Sequence, residues 1–433
     1  MSLLPNILFA IALILGIGYF TLNVKKLVRN IKLGQDVDVS DNSSQRWNNM
    51  FKIALGQGKM VRRPIAGILH IIVYLGFVII NIEVLEIIID GLFGTHRIFS
   101  FLGSFYGFLI GNFEILAVLV LISVILFWIR RNIMKLQRFW KSEMTSWPKH
   151  DANYILYFEM VLMSLFLIMN ATDVHFQDMG SGNLISQFMA LWFEGLSETS
   201  LNLIERSAWW IHIIGILVFL NYLYFSKHLH ILLAFPNTYF TKLTPKGQID
   251  NVEAVTKEVR MMMDPSIDPF AAPAENAEVP AKFGASDVQD LSWVNLLNAY
   301  TCTECGRCTS ECPANLTGKK LSPRKIMMDT RDRLEEVGKN IDINKGQFKD
   351  DGKQLLDNYI TREELWACTS CNACVEACPV SIDPLSIIIE MRRYLVMEQS
   401  AAPMELNTMM TNIENNGAPW PFNQMDRLNW KNE

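Results

Sequence analysis

Five almost unbroken apolar stretches occupy the first 240 positions, near 3 to 23, 65 to 89, 107 to 129, 153 to 173 and 207 to 234. Each is long enough to cross a bilayer, for which about 20 residues suffice. The polar positions between them are unevenly charged. The first connection carries Lys25, Lys26, Arg29, Lys32, Arg46, Lys52, Lys59, Arg62 and Arg63, and the third carries Arg130, Arg131, Lys135, Arg138, Lys141 and Lys149. The other two hold only Arg97 and Arg206. The positive-inside rule therefore predicts an N-terminus outside and a cytoplasmic location for everything after the fifth helix. The opening MSLLPNILFAIALILGIGYF has neither a basic leader nor a small-residue cleavage site, and it reads as a retained membrane helix. Between the fourth and fifth stretches, LISQFMALWFEGL fits either an amphipathic surface helix or ordinary packing over the helix ends.

Past position 240 the pattern changes. Block 241–290, above all the Pro- and Ala-rich run from 262 to 290, lacks apolar periodicity and reads as a linker. Residues 291–398 form a second domain with helices predicted at LSWVNLLNAY, SPRKIMMDTRDRLEEV and DPLSIIIEMRRYLVMEQ. Residues 399–433 are polar and irregular and read as a tail. A content of 50% hydrophobic and 19% charged residues suits a chain that is part membrane and part soluble. The net charge of −5, with basic residues in short clusters, gives no reason to expect nucleic acid as a partner.

All eight cysteines fall in two copies of one spacing: Cys302-x2-Cys305-x2-Cys308-x3-Cys312-Pro313 and Cys368-x2-Cys371-x2-Cys374-x3-Cys378-Pro379. In such a run three thiolates wrap one iron–sulfur cubane while the fourth, fixed by the proline, serves the other. The spacing thus predicts two [4Fe–4S] clusters, one on Cys302, Cys305, Cys308 and Cys378, the other on Cys368, Cys371, Cys374 and Cys312. Paired zinc sites are the competing reading, but four cysteines in one run before a proline is not the usual zinc spacing. Thiolate ligands call for a reducing compartment, in agreement with the topology. No cysteine remains for a redox-active disulfide. The GQGK at 56 to 59 precedes a membrane helix without the further glycines of a phosphate loop. The domain therefore reads as a wire to a partner.

The histidines extend the picture into the membrane. His212 and His230 lie 18 residues apart in the fifth stretch. On an unbroken helix that is five turns and about 27 Å, one face near both bilayer surfaces, an arrangement suited to two stacked haems. Polar residues inside a membrane are costly and usually functional. His70, just inside the basic end of the second stretch, pairs with His230 for an inner haem b. His175 is the candidate opposite His212 for an outer one, and His96 is a weaker one. His228, about 160° round the helix from His212, reads as a lipid-interface or domain-contact residue, and His150 as a solvated one. Glu83, Glu86, Asp90, Glu114 and Glu159 read as carboxylates near an interface, with proton carriage for quinone chemistry as the alternative.

Together with the 55-odd residues between the motifs, LWACTSCNACVEACPVSIDP resembles the α-helical ferredoxin domain of succinate dehydrogenase iron–sulfur subunits and of the small iron–sulfur subunit of heterodisulfide reductase. HIIGILVFLNYLYFSKHLHILLAFPNTYF resembles the last membrane helix of the nitrate reductase γ subunit and its haem b relatives. That likeness spans roughly 1–240 and is tight only in the fifth helix and the start of the second. It implies His212 and His230 as haem ligands, but places Ile80 where the family has a further histidine. The expected fold is all-α: a five-helix transmembrane bundle followed by an α-helical ferredoxin domain. The expected function is electron relay in a bacterial or archaeal cytoplasmic (inner) membrane. It would run between quinone in the bilayer, haem b, two [4Fe–4S] clusters and a soluble cytoplasmic partner, either a cysteine-rich catalytic subunit or an electron-transfer flavoprotein system. A cluster-based redox sensor and a haem-free membrane iron–sulfur protein are the alternatives.

Overall fold

The computed structural model describes residues 3–264, 266 and 282–432. It is 72% helical, with no strand among the described residues. Among the described residues, five helices have the length and composition to cross a membrane: α1 (Leu4–Ile31), α2 (Pro64–Phe93), α3 (Ser104–Asn132), α4 (Trp147–Thr172) and α5 (Glu198–Tyr222), the last extended by a 3-10 turn to Phe225. Local chemistry sets their ends. Pro5, Pro64 and Pro148 sit in first turns, where a missing N–H costs nothing. Gly94, at φ 70°, ends α2 in the left-handed conformation that needs no Cβ. The Ser197 hydroxyl accepts from Ser200 N at the start of α5.

The five helices form a closed ring in which each packs on its sequence neighbours and α1 returns against α5. Inside lie Phe9, Tyr106, Ile110, Phe113, Phe166 and Ile213. Outside, Leu4, Leu8, Ile11 and Leu15 of α1 and Ile65, Ile68, Val78 and Leu85 of α2 are exposed, an apolar surface suited to lipid. Small residues bring the helices close. A Cβ on Gly76 would stand 2.3 Å from Val120 of α3.

The fifth apolar stretch is not one helix. Ser226 is extended (φ −114°, ψ 147°), and its hydroxyl accepts from His228 N to start a new turn. His230 then opens a separate helix, α6 (His230–Tyr239). The span lies at 198–225 rather than 207–234, and the shared face that an unbroken helix would give His212 and His230 does not apply.

In the second part α7 (Trp293–Thr301), α8 (Pro323–Ile343) and α9 (Pro384–Arg393) follow the predicted segments, capped by Ser292, Ser322 and Asp383. Their core, including Leu296, Ile326, Leu334, Val337, Ile387 and Met391, runs without a break into Leu27, Phe219, Leu223 and Ala234 of the bundle side. Gln35 exchanges backbone hydrogen bonds with Leu291 and Trp293 (2.8 and 3.0 Å). Asn30 donates to Tyr300 (2.8 Å) and Arg63 to Ser310 (2.7 Å), and Arg62 pairs with Glu376. The basic connections therefore also hold the cysteine-bearing part.

Two segments read as irregular contain helix. Glu253–Met263 is helical within 241–290, while most of the expected 262–290 linker lies outside the described residues. Met404–Asn416 is helical in the tail, stopped by left-handed Gly417.

Candidate cluster and haem sites

The two cysteine runs fold into matching loops. Glu304 and Gly306 (φ 54° and 70°) occupy the same places in the first as Ser370 and Asn372 (φ 55° and 59°) in the second. Left-handed residues at alternate positions curl the backbone so that side chains and amides converge on one centre. A short helix follows each loop, Arg307–Ser310 and Ala373–Ala377, and the fourth cysteine of each run then precedes its proline.

Two cavities result. One is lined by Cys302, Cys305, Cys308 and Cys378, and also by Cys374, which it shares with its neighbour. The other is lined by Cys312, Cys368, Cys371 and Cys374. Each run gives three thiols to its own cavity, and the fourth crosses to its neighbour's. All eight thiols are free.

Electrostatics of these thiols favour a bound cation. Burial, then charged neighbours, push Cys302 up to about 12 and Cys378 up to about 11. Cys308 lies well above its ordinary value for the same first cause, with the other thiols of its set adding to it. Buried, mutually repelling thiolates are held when a metal neutralises them, so the donor sets fit two four-thiolate clusters. Backbone amides already point at sulfur: Ile382 N donates to Cys378 Sγ at 3.3 Å and Ser370 N to Cys368 Sγ at 3.4 Å. Such bonds set cluster potentials.

Beneath the first cavity lies a buried ionic group that no sequence signal announces. Lys227 pairs with Glu304, two residues after Cys302, and stands 3.8 Å from Asp151. Arg331 holds the other Glu304 oxygen at 2.8 Å, and Tyr222 donates to Asp151. Burial alone would raise the Glu304 carboxyl. Lys227 and Arg331 more than offset it and hold the group below its ordinary range. Arg307 ties the same loop to the segment just before α2 through the Lys59 and Met60 carbonyls (3.2 and 3.3 Å).

The histidines gather close by. His70 and His230 face each other with ring centroids 6.4 Å apart. Imidazoles on opposite sides of one iron, at about 2 Å per metal–nitrogen bond and about 1 Å from nitrogen to ring centre, stand about 6 Å apart. His230 Nδ1 lies 3.1 Å from the Lys227 carbonyl, a bond that leaves Nε2 free to coordinate. His70 Nδ1 is buried without a partner. These two residues fit an axial pair. His228 joins them: its ring is 5.4 Å from that of His230, and its Nε2 is 3.6 Å from Glu159. The helix break at Ser226 brings it beside His230 rather than to the opposite face expected on an unbroken helix.

His212 is buried with Nδ1 unpartnered, and the ring facing it is that of Phe166 (6.4 Å). His175 stands beside His96 instead (5.8 Å), and both are exposed. Ile80 packs in the bundle core.

Residues 301–382 match the family described as a 4Fe-4S dicluster domain. Over a 457-residue alignment the chain is 29% identical to the probable iron-sulfur-binding oxidoreductase FadF of Bacillus subtilis, covering 99% of this chain and 61% of that protein. It is 26% identical to the EtfAB:quinone oxidoreductase of Syntrophomonas wolfei, covering 92% of this chain and 55% of the other. Over 169 residues it is 31% identical to a probable membrane-anchored ferredoxin of Chromohalobacter salexigens, covering 35% of this chain and 25% of that protein. The chain thus spans little more than half the length of the first two relatives. No solved structure matches it. A segment similar to a 4Fe-4S dicluster domain is thus joined to five helices with the length and composition to cross a membrane, and the role this supports is iron–sulfur electron transfer.

Proposed function

We propose that the chain relays electrons between a quinone in the bilayer and a soluble redox partner on the side of the dicluster domain, in the cytoplasmic membrane of a bacterium or archaeon. Cys302, Cys305, Cys308 and Cys378 would hold one cluster, and Cys368, Cys371, Cys374 and Cys312 the other. His70 and His230 would hold haem b. When bound, these groups supply one-electron transfer. The residues of the chain fix their spacing, exclude water and set the surrounding charge.

The observation that carries the reading is the facing His70–His230 pair at 6.4 Å, tied through Lys227 to the first cysteine loop. In this reading a carrier held in the bundle and a carrier held by the first cysteine loop would be neighbours across one buried ion pair. The relative named as an EtfAB:quinone oxidoreductase supports quinone on one side and an electron-transferring flavoprotein on the other. A cysteine-rich catalytic subunit is the alternative soluble partner. An outer haem would rest on His212, with His175 turned toward His96.

Purified full-length chain should give a pyridine haemochrome spectrum of haem b and two cubane signals by electron paramagnetic resonance, and should oxidise a quinol analogue with an artificial acceptor. Cubane signals without any haemochrome would leave the haem-free reading, and both cofactors without turnover would leave the sensor reading.

A further inference from the structure

At the end of the bundle away from the cysteines, the interior is acidic. Glu83 and Glu86 of α2, Glu114 of α3, Asp173 after α4 and Glu205 of α5 are all at most 5% exposed. Arg97, from the connection after α2, is the buried cation among them at 7%. It is fully engaged, donating to Asp173 (2.7 Å), Asn170 (2.9 Å) and the Tyr106 hydroxyl (3.2 Å).

Most of these carboxylates are provided for. Glu114 accepts from Asn170 and from the Ile185 and Ser186 amides (3.1, 2.7 and 3.1 Å). Glu86 accepts from Phe99 N and Tyr106 (2.8 and 3.0 Å), and Glu205 pairs with Arg206. Glu83 differs. Its Oε2 is buried with no hydrogen-bond donor, and Glu86 and Glu114 are its charged neighbours besides Arg97. A carboxylate in that position would be an unpaired buried charge, whereas a carboxylic acid would not.

Glu83 also has a way out. One cavity is lined by Glu83, Glu86, Asp90, Asp173 and Glu205 together with His96 and Arg206, whose side chains are 40% and 46% exposed. Asp90 accepts from the Arg97 and Ile98 amides and from Thr95, which leaves it at the half-buried throat. Chains of acids and histidine leading inward from a membrane surface are typical of proton paths.

We propose that Glu83 is a proton-exchanging acid at the inner end of a path opening between His96 and Arg206, serving quinone chemistry in the bundle. This rests on the proposed quinone reading. Reduction of a quinone takes two electrons from the chain and two protons. Glu83 gives up one proton, is re-protonated through Glu86 and the cavity, and then gives the second. Oxidation of a quinol runs the same transfers in reverse, delivering both protons to water at the His96 mouth.

The test uses the full chain in lipid nanodiscs with Glu83→Gln, which keeps shape and neutrality, and Glu83→Asp, which keeps the proton. Infrared difference spectra between electrochemically oxidised and reduced protein should show a carboxylic-acid C=O band sensitive to heavy water. The band should be absent in Glu83→Gln, displaced in Glu83→Asp and unchanged in Glu159→Gln at the other end of the bundle. Quinone-linked turnover should fall about 100-fold in Glu83→Gln, the low end for loss of an acid–base group, while reduction of the clusters by dithionite is unaltered. A band that persists in Glu83→Gln, or full turnover without it, overturns the proposal. A Glu83 band in a wild-type chain that turns over no quinone would retire the quinone reading and leave the redox-linked acid; turnover with no such band does the opposite.

Discussion

Replacing Lys227 by methionine removes the cation shared by Glu304 and Asp151 while keeping most of the apolar stem. Both carboxylates are 2% exposed and the lysine 9%, so solvent screens little of the interaction. Breaking a buried ion pair by deleting one partner costs about 3–5 kcal/mol. Here part is retained: Arg331 still holds Glu304, and Asp151 still accepts from Tyr222 and from the amide of residue 227. The expected loss is therefore about 3 kcal/mol, the low end of that range. Glu304→Gln in the same chain should recover about 1 kcal/mol of it, because Glu304 is then no longer a buried charge short of a partner while Asp151 still lacks its cation. The four chains of the cycle are compared by denaturant unfolding in mixed micelles, followed by circular dichroism. The sign with pH follows from the direction of the Glu304 shift. Its contribution is complete above the ordinary carboxyl value of 4.5 and is lost as pH falls through the lower folded value. In Lys227→Met this acid-side loss should flatten. Additivity within about 0.5 kcal/mol, with an unchanged acid limb, would refute the coupling.

Further outcomes follow from the same geometry. Cys378→Ser should weaken or remove the cubane signal of the set with Cys302, and Cys312→Ser that of the set with Cys368; loss of the signal belonging to the mutated run instead would overturn the crossing. His70→Ala and His230→Ala should each remove the inner haem's share of the haemochrome spectrum, which His175→Ala should leave at full height. Gly76→Leu should lower stability by about 1–3 kcal/mol through collision with Val120, and Val120→Ala should restore part of that, read by thermal unfolding.

The membrane helices and the cysteine loops were legible because their signals are local and repeated. Hydropathy alone marks α1 to α4, and one spacing recurs in both runs. The break in the fifth stretch was not legible, since LYFSKHLHILLAF is apolar on both sides and only the Ser226 hydroxyl bonding to His228 N interrupts it. That single turn also hid His228, because helical geometry places it correctly only if the helix is continuous. The Lys227–Glu304 pair joins residues 77 positions apart, and neither flank hints at the other. Glu83 could be noticed as a charge in an apolar run. Its want of a donor depends on where Arg97 points.

The two cysteine loops are near copies down to their left-handed residues, so the backbone gives an electron little reason to prefer one site over the other. The asymmetry lies in what the copies carry. At equivalent places the first loop has Glu304, clamped by two cations, and the second has Ser370. A duplicated frame thus becomes a graded pair through its side chains. The slope between the two centres can be retuned by changing one residue, without rebuilding either loop.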